Sequence, residues 1–314
     1  MGCVEGGGVG GRGAGAGEGG VFRQCTPEWT FFPRAVVADE EPLGGMRGND
    51  RKQKGLSLGE IRDIAAAFPR AAVTGPAAAR LMGLPTLEWV EAVDLRYLSG
   101  AKPGKQPKDP RVVYRSGSMR RDLVEEHNGV LTVHPIQVLF DIYRYYGRLD
   151  ALVPMEHLRY YRQVSQEVLL YWAKNMLPRA NGIRGFEGVV GWSAGTSQSA
   201  LETIGRDAVL RAEIPEAHSI EFQVEVVFED VFAQQRFASV DMMINGWLAV
   251  EFDGRIKSDG TYGDGVKVLL AQLDRQHEIQ ALGFSVVRAG WRDVVSGKLV
   301  RDLRRLLRAQ PRAA

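Results

Sequence analysis

The chain has 314 residues, with 45% hydrophobic and 25% charged side chains. At about twice the length of an average domain, such a composition suits a globular protein with more than one core and argues against collagen-like, largely disordered and membrane-spanning classes. The formal charge of +2, from 40 Lys+Arg against 38 Asp+Glu, supplies no global field for nucleic acid, so any contact with DNA must come from a local arrangement. Eleven of the 37 glycines fall in the first 20 residues, a run that cannot bury a core. Residues 1–50 therefore read as a disordered Gly-rich tail, with Trp29, Phe31 and Phe32 as its one dense apolar patch. The tail has no apolar signal segment and no run of 18 apolar residues occurs further on, so the expected compartment is the cytoplasm. Cys3 and Cys25 stand in no metal-binding spacing, which leaves no disulfide framework or zinc ribbon.

Ser57-Leu-Gly-Glu60 has the spacing of a capping box and opens a helix running to Phe68. Pro76 sits where the first turn of a second short helix tolerates it, and that helix ends at Gly83. Val93–Leu98 and Val112–Tyr114 read as short strands on either side of a Gly/Pro/Lys-rich loop. Seven basic residues and one acid lie between Lys102 and Arg121, either a solvated loop or a phosphate contact. Helices are expected from Pro135 to Tyr146 and from near Pro154 to Trp172, so 51–177 forms a mixed domain of helices and small strands. Five glycines in 178–195 mark a linker. From 196 to 314 the expected order is αβββαβα: a helix at 199–211, strands at 220–228, 237–244 and 247–253, a helix at 264–281, a strand at 284–288 and a basic helix at 293–309.

The stretch Ala238–Gly254 holds two β-rich runs joined at Asn245-Gly246, a strong hairpin signal. Val240, Met242, Ile244, Leu248, Val250 and Phe252 occupy even positions, so even must pair with even if one face is buried. A two-residue turn breaks that rule. A three-residue turn over Ile244–Gly246 keeps it, placing Met243 opposite Trp247 and Asp241 opposite Ala249. Asp241 is then a diagonal neighbour of Glu251, with Asp253 one step along the same face, and their carboxylates can converge on a divalent ion. The preceding strand alternates alike, with Glu221, Gln223 and Glu225 on the polar side. A half-solvated antiparallel sheet is the plain alternative.

Ser199-Ala-Leu-Glu202, Gln223, Val240-Asp241, Val250-Glu-Phe-Asp-Gly254, Arg275 and Leu282-Gly-Phe-Ser-Val-Val-Arg288 together resemble the very-short-patch-repair endonuclease-like domain of the restriction-endonuclease superfamily. The resemblance implies a restriction-endonuclease-like core and Mg²⁺- or Mn²⁺-dependent hydrolysis of phosphodiester bonds in DNA, in repair or phage defence. Asp241 and Glu251 would then hold the metal, Asp253 would be a third ligand or support, and Lys257 would polarise water or stabilise the transition state. Glu202 matches a further acidic position and equally the Glu of a Ser199 capping box; Gln223 would orient a ligand, and Arg275 would pair an acid or hold phosphate. The chain departs from the pattern at Asp253, where the superfamily usually carries a lysine, and at Gln272-Leu273. Upstream, Val73–Pro85 and Thr132–Arg144 resemble the C-terminal part of the abortive-infection type IV antitoxin-like family, although residues 1–56 offer no helix set for a winged helix. A catalytically inactive DNA-binding regulator or antitoxin-like protein is the alternative function.

Arg301, Arg304, Arg305 and Arg308 form a basic face of the last helix, either solvated or in contact with DNA phosphates. The five histidines show no zinc spacing. Gly191-Trp-Ser-Ala-Gly195 fits a hydrolase nucleophile elbow in letters but lacks the strand that motif requires.

Overall fold

The computed structural model describes residues 55–98, 108–116, 119–127, 129–177, 179–229, 235–253 and 283–309. The tail 1–50, the expected helix 264–281, Lys257 and Arg275 lie outside the described residues. Contacts divide the chain into Met1–Ala38 and Asp39–Ala314, and every described residue belongs to the second unit. It is a mixed α/β structure with two mixed sheets.

The first helix, α1 (Leu58–Ala66), begins at the expected capping box: Ser57 Oγ accepts the Glu60 amide at 3.2 Å and the Glu60 carboxylate accepts the Ser57 amide at 2.8 Å. Next come β1 (Ala71–Thr74), α2 (Gly75–Leu81), β2 (Val93–Tyr97), β3 (Val112–Tyr114), β4 (Val124–His127) and β5 (Val130–Val133), which build a sheet in the order β3-β2-β1-β5-β4. Two strands were legible here and five are present. All four residues of β1 are buried, so no alternation betrays it. The β4–β5 hairpin pairs His127 with Val130, and Gly129 just before β5 takes φ 78°, a left-handed conformation that suits glycine.

Four helices cover this half: α3 (Pro135–Tyr145), α4 (Arg148–Arg162), α5 (Gln166–Met176) and α6 (Ile183–Trp192). The single helix expected from Pro154 to Trp172 is two, because Gln163 adopts a left-handed conformation at φ 53° and Ser165 starts α5 by accepting the Val168 amide. The stretch 178–195, expected as a linker, carries α6, whose Phe186, Val189 and Val190 are buried. Gly185 serves packing: a Cβ there would stand 2.2 Å from Tyr143 Oη, so glycine lets α6 lie against α3 at that point. Asp141 of α3, fully buried, accepts Arg96 through both carboxylate oxygens, at 2.5 and 2.6 Å, and also Thr74 Oγ1 and Gln137 Nε2.

The second half runs α7 (Ala200–Arg211), β6 (Ile220–Glu229), β7 (Gln235–Ile244), β8 (Leu248–Phe252), β9 (Ser285–Ala289), α8 (Trp291–Val295) and α9 (Lys298–Ala309). The one helix expected at 293–309 is divided at Gly297, φ 69°. The sheet order is β6-β7-β8-β9, antiparallel except for the parallel β8–β9 pair. Leu201 and Ile204 of α7 and Leu299, Leu303 and Leu307 of α9 share a core with Met242, Ile244, Leu248 and Val250. A second cluster groups Ala238, Val240, Met243 and Ala249 with Val224, Val226, Phe284 and Val286.

The halves meet through charge. Glu156 of α4, fully buried, pairs with Arg206 of α7 and accepts the Ala194 amide at 2.9 Å and Ser197 Oγ at 2.6 Å. Arg148 pairs with Asp207, whose carboxylate also accepts Trp192 Nε1 at 2.8 Å.

Candidate functional site

The β7–β8 register pairs Ile244 with Leu248, Met243 with Ala249 and Met242 with Val250. Even pairs with even, as the hydrophobic pattern requires, but the stagger differs by two residues from the expected one. The turn has three residues, Asn245 to Trp247 rather than Ile244 to Gly246. Asn245 at φ 53° and Gly246 at φ 71° are both left-handed, and Asn245 Oδ1 accepts the His218 and Ser219 amides at 2.7 and 3.1 Å. Those contacts clamp the turn from outside the hairpin. The paired ladder ends at Met242–Val250; beyond it the Asp241 carboxylate accepts the Phe252 amide, which sets Asp241 beside the Glu251 end of β8 in a polar row.

This row extends across the sheet. On β6, Gln223 is flanked by the pairs Phe222–Met242 and Val224–Val240, so it stands opposite Asp241. On β9, Arg288 pairs with Glu251 in register, and its Nε lies 3.4 Å from Glu251 Oε2. Gln223, Asp241, Glu251 and Arg288 thus form one polar row over four adjacent strands. Gln223 adopts φ 53°, and the core changes sides there: Ile220 and Phe222 join the first cluster, Val224 and Val226 the second. Val240 and Met242 divide likewise around Asp241. The single oily face expected for the three strands is corrected to two, because a left-handed residue reverses the phase of alternation.

Glu202 stands over the Gln223 end of the row. Its Oε2 accepts Gln223 Nε2 and the Gln198 amide, both at 2.9 Å, while Ser199 Oγ accepts the Glu202 amide and donates to Oε1. The bonds to Ser199 at the start of α7 thus also hold the Glu202 carboxylate against Gln223. Burial pushes its carboxyl up from the ordinary range, the Gln198 amide opposes this, and the Asp241 charge adds to it. Gln223 Oε1 in turn accepts Gln198 Nε2 at 2.9 Å and Ser239 Oγ at 3.1 Å. Asp241 Oδ2 accepts the Phe252 amide at 2.8 Å, which ties β7 to β8 at the row. Asp253 follows on the end of β8, where its amide donates to the Ala289 carbonyl at 3.1 Å.

Of the expected site residues, Glu202 is hydrogen-bonded to Gln223, Asp241 to the Phe252 amide, and Glu251 is paired with Arg288; Lys257 and Arg275 fall outside the described residues. Sequence reasoning gave Arg288, Gln198 and Ser239 no role. Arg288 closed the Gly-Phe-Ser-Val-Val-Arg run, but only the parallel pairing of β9 with β8 puts it beside Glu251. Among the described residues no group of three His, Cys, Asp or Glu side chains is spaced to hold a metal ion.

Arg301, Arg304, Arg305 and Arg308 line one open surface hollow on α9. Each also has an internal partner: the Ser296 and Ala212 carbonyls for Arg301 and Arg304, Asp302 for Arg305 and Glu216 for Arg308. In the described part of the basic run, Arg111, Arg115 and Arg120 pair with Asp109, Asp94 and Asp122. The Gly191–Gly195 motif follows helix α6 rather than a strand, and Ser193 Oγ is buried, donating to the Val190 carbonyl. No helix among the described residues is long and apolar enough to cross a membrane. No family model, curated protein or solved structure matches the chain.

Proposed function

We propose that the second half is a restriction-endonuclease-like module that hydrolyses phosphodiester bonds in DNA with Mg²⁺ or Mn²⁺. The observation that supports this reading is the hold of the Asp241 carboxylate on the β8 amide next to Glu251, with Glu202 and Gln223 hydrogen-bonded to each other at the neighbouring strand. Their donor chemistry fits the metal: Mg²⁺ takes hard oxygen ligands, keeps several waters and needs only one or two carboxylates from the protein. The bound ion would supply Lewis-acid polarisation of the phosphate and activation of water. Asp241 and Glu251 would hold it, Glu202 would fix Gln223 toward the row, and Arg288 would offer its guanidinium to a phosphate oxygen. In this reading Arg288 supplies the positive charge that a lysine at position 253 would bring. The α9 arginines would meet the DNA backbone in the same event.

A specific observation also favours a catalytically lapsed, DNA-binding regulator of antitoxin-like type. Glu251 already has a cation in Arg288, and Asp241 already accepts a backbone amide. One experiment separates the two. Mn²⁺ calorimetry and cleavage of single-stranded, mismatched and duplex DNA are compared for wild type, Asp241→Asn and Glu251→Gln. The nuclease reading expects Mn²⁺ binding and cleavage that both substitutions abolish. Salt-sensitive DNA binding without turnover, indifferent to both, establishes the regulator.

A further inference from the structure

We infer that the end of α4 carries a stacking platform for an unpaired nucleobase, placed beside the acidic row; this rests on the reading of that row as a DNA-cleaving site. Tyr161 is 54% exposed. Its ring stacks on His157, one helical turn earlier, with centroids 4.4 Å apart and planes tilted by 36°, and meets Tyr160 edge-on at 4.9 Å. Burial, then the charge of Arg162, draws the His157 imidazole down to about 4, so at neutral pH it is an uncharged aromatic plane.

The platform is wired to the row. Tyr161 Oη donates to the Gln198 carbonyl at 3.1 Å, and the Gln198 amide donates to Glu202 Oε2 at 2.9 Å. One residue and two hydrogen bonds therefore separate the ring's tip from the Glu202 carboxylate, under about 10 Å. That is the scale of one or two nucleotides of single strand. The last turn of α4 is basic, with Arg159 held on the Ser193 carbonyl and hydroxyl and Arg162 beside Tyr161, a positive potential that complements a phosphate backbone. An exposed aromatic next to basic groups is how proteins hold single strands without reading their sequence, since every base has a π-face. A base inside a duplex cannot reach such a ring; an unpaired or extruded one can.

The test uses the full chain in Ca²⁺ buffer and a single-stranded oligodeoxynucleotide carrying 2-aminopurine, whose fluorescence is quenched on stacking. Wild type is expected to quench it and to prefer it over the same sequence as duplex. Tyr161→Ala is expected to weaken binding on the order of tenfold and relieve the quench, while Tyr161→Phe, which keeps the ring, stays within twofold. Tyr171→Ala removes another exposed tyrosine, 64% accessible on α5, and is expected to change nothing. If Tyr161→Ala binds and quenches like wild type, or duplex is preferred, the platform is overturned while cleavage by the acidic row stands or falls separately. If neither DNA form binds wild type, both ideas fail.

Discussion

Gly205 of α7 offers a direct measure of how tightly the helix is pressed onto the acidic row. A Cβ there would stand 2.1, 2.4 and 2.8 Å from three ring atoms of Phe252. Carbon atoms at rest lie about 3.5–4.0 Å apart, so Gly205→Ala requires the ring to retreat by roughly 1.5 Å. Phe252 is packed against the first core, and its amide is the donor to Asp241 Oδ2, so the retreat pulls on the row itself. Overpacking of this severity costs about 3 kcal/mol, offset by about 1 kcal/mol of helix propensity gained from glycine to alanine. The net expectation is a loss of about 2 kcal/mol in urea unfolding followed by circular dichroism. Gly188→Ala is the internal control: it lies in α6, a Cβ there meets nothing within 4 Å, and it should stabilise by about 0.5–1 kcal/mol. Adding Phe252→Leu to Gly205→Ala opens room for the methyl, and the pair should show at least about 1 kcal/mol of favourable coupling. If Gly205→Ala is as stabilising as Gly188→Ala, the close packing of α7 on β8 is not the arrangement in solution.

Three further perturbations reach other parts of the molecule. Burial lifts the Asp94 carboxyl to about 6 against the pull of Arg115 and Tyr146; a folded pKa above the unfolded one means this group's stabilisation is complete below about pH 4 and is lost as pH rises through 6. Asp94→Asn should therefore remove a decline of up to roughly 3 kcal/mol between pH 4 and 7, and parallel pH profiles of the two proteins would refute it. Glu156→Gln strands the buried Arg206 without its counter-charge and should cost about 3–5 kcal/mol in the same unfolding assay, with Glu156→Met/Arg206→Met recovering much of it. Arg288→Met removes a positive charge beside Glu251 and, under the proposed metal site, should tighten Mn²⁺ on the order of tenfold while lowering cleavage; unchanged affinity by calorimetry places Arg288 away from the ion.

The hairpin shows where sequence reasoning stops and why. Alternation from Val240 to Phe252 demands that even pair with even, and β7 and β8 obey. Sliding the strands by two residues preserves that parity, so the pattern cannot choose between Met242 opposite Leu248 and Met242 opposite Val250. The choice is made by Asn245, which takes the left-handed conformation and accepts amides from residues 218 and 219, a contact with no hydrophobic signature. Gln223 defeats the pattern more thoroughly. Its left-handed backbone sends Val224 and Val226 into a different cluster from Ile220 and Phe222, although all four sit at even positions. In the first half, the missed strands are four residues long and β1 is buried at every position, so periodicity had nothing to work on. Helices α1, α3 and α7 were legible because their caps and apolar spacing are local properties.

The placement of Arg288 is a different kind of information, since the Ser-Val-Val-Arg-Ala run reads as a strand but says nothing about its neighbour. Only the topology, which sets β9 parallel to β8, turns two acids into a row with an arginine at its end. That changes the charge balance of the proposed site. Arg288 sets one fixed positive charge beside Glu251, and Asp241 is held by the Phe252 amide, so both carboxylates of the row already have a partner. Under the proposed reading a divalent ion would have to draw Glu251 away from that guanidinium, and the guanidinium so released would be the group free to meet a phosphate oxygen.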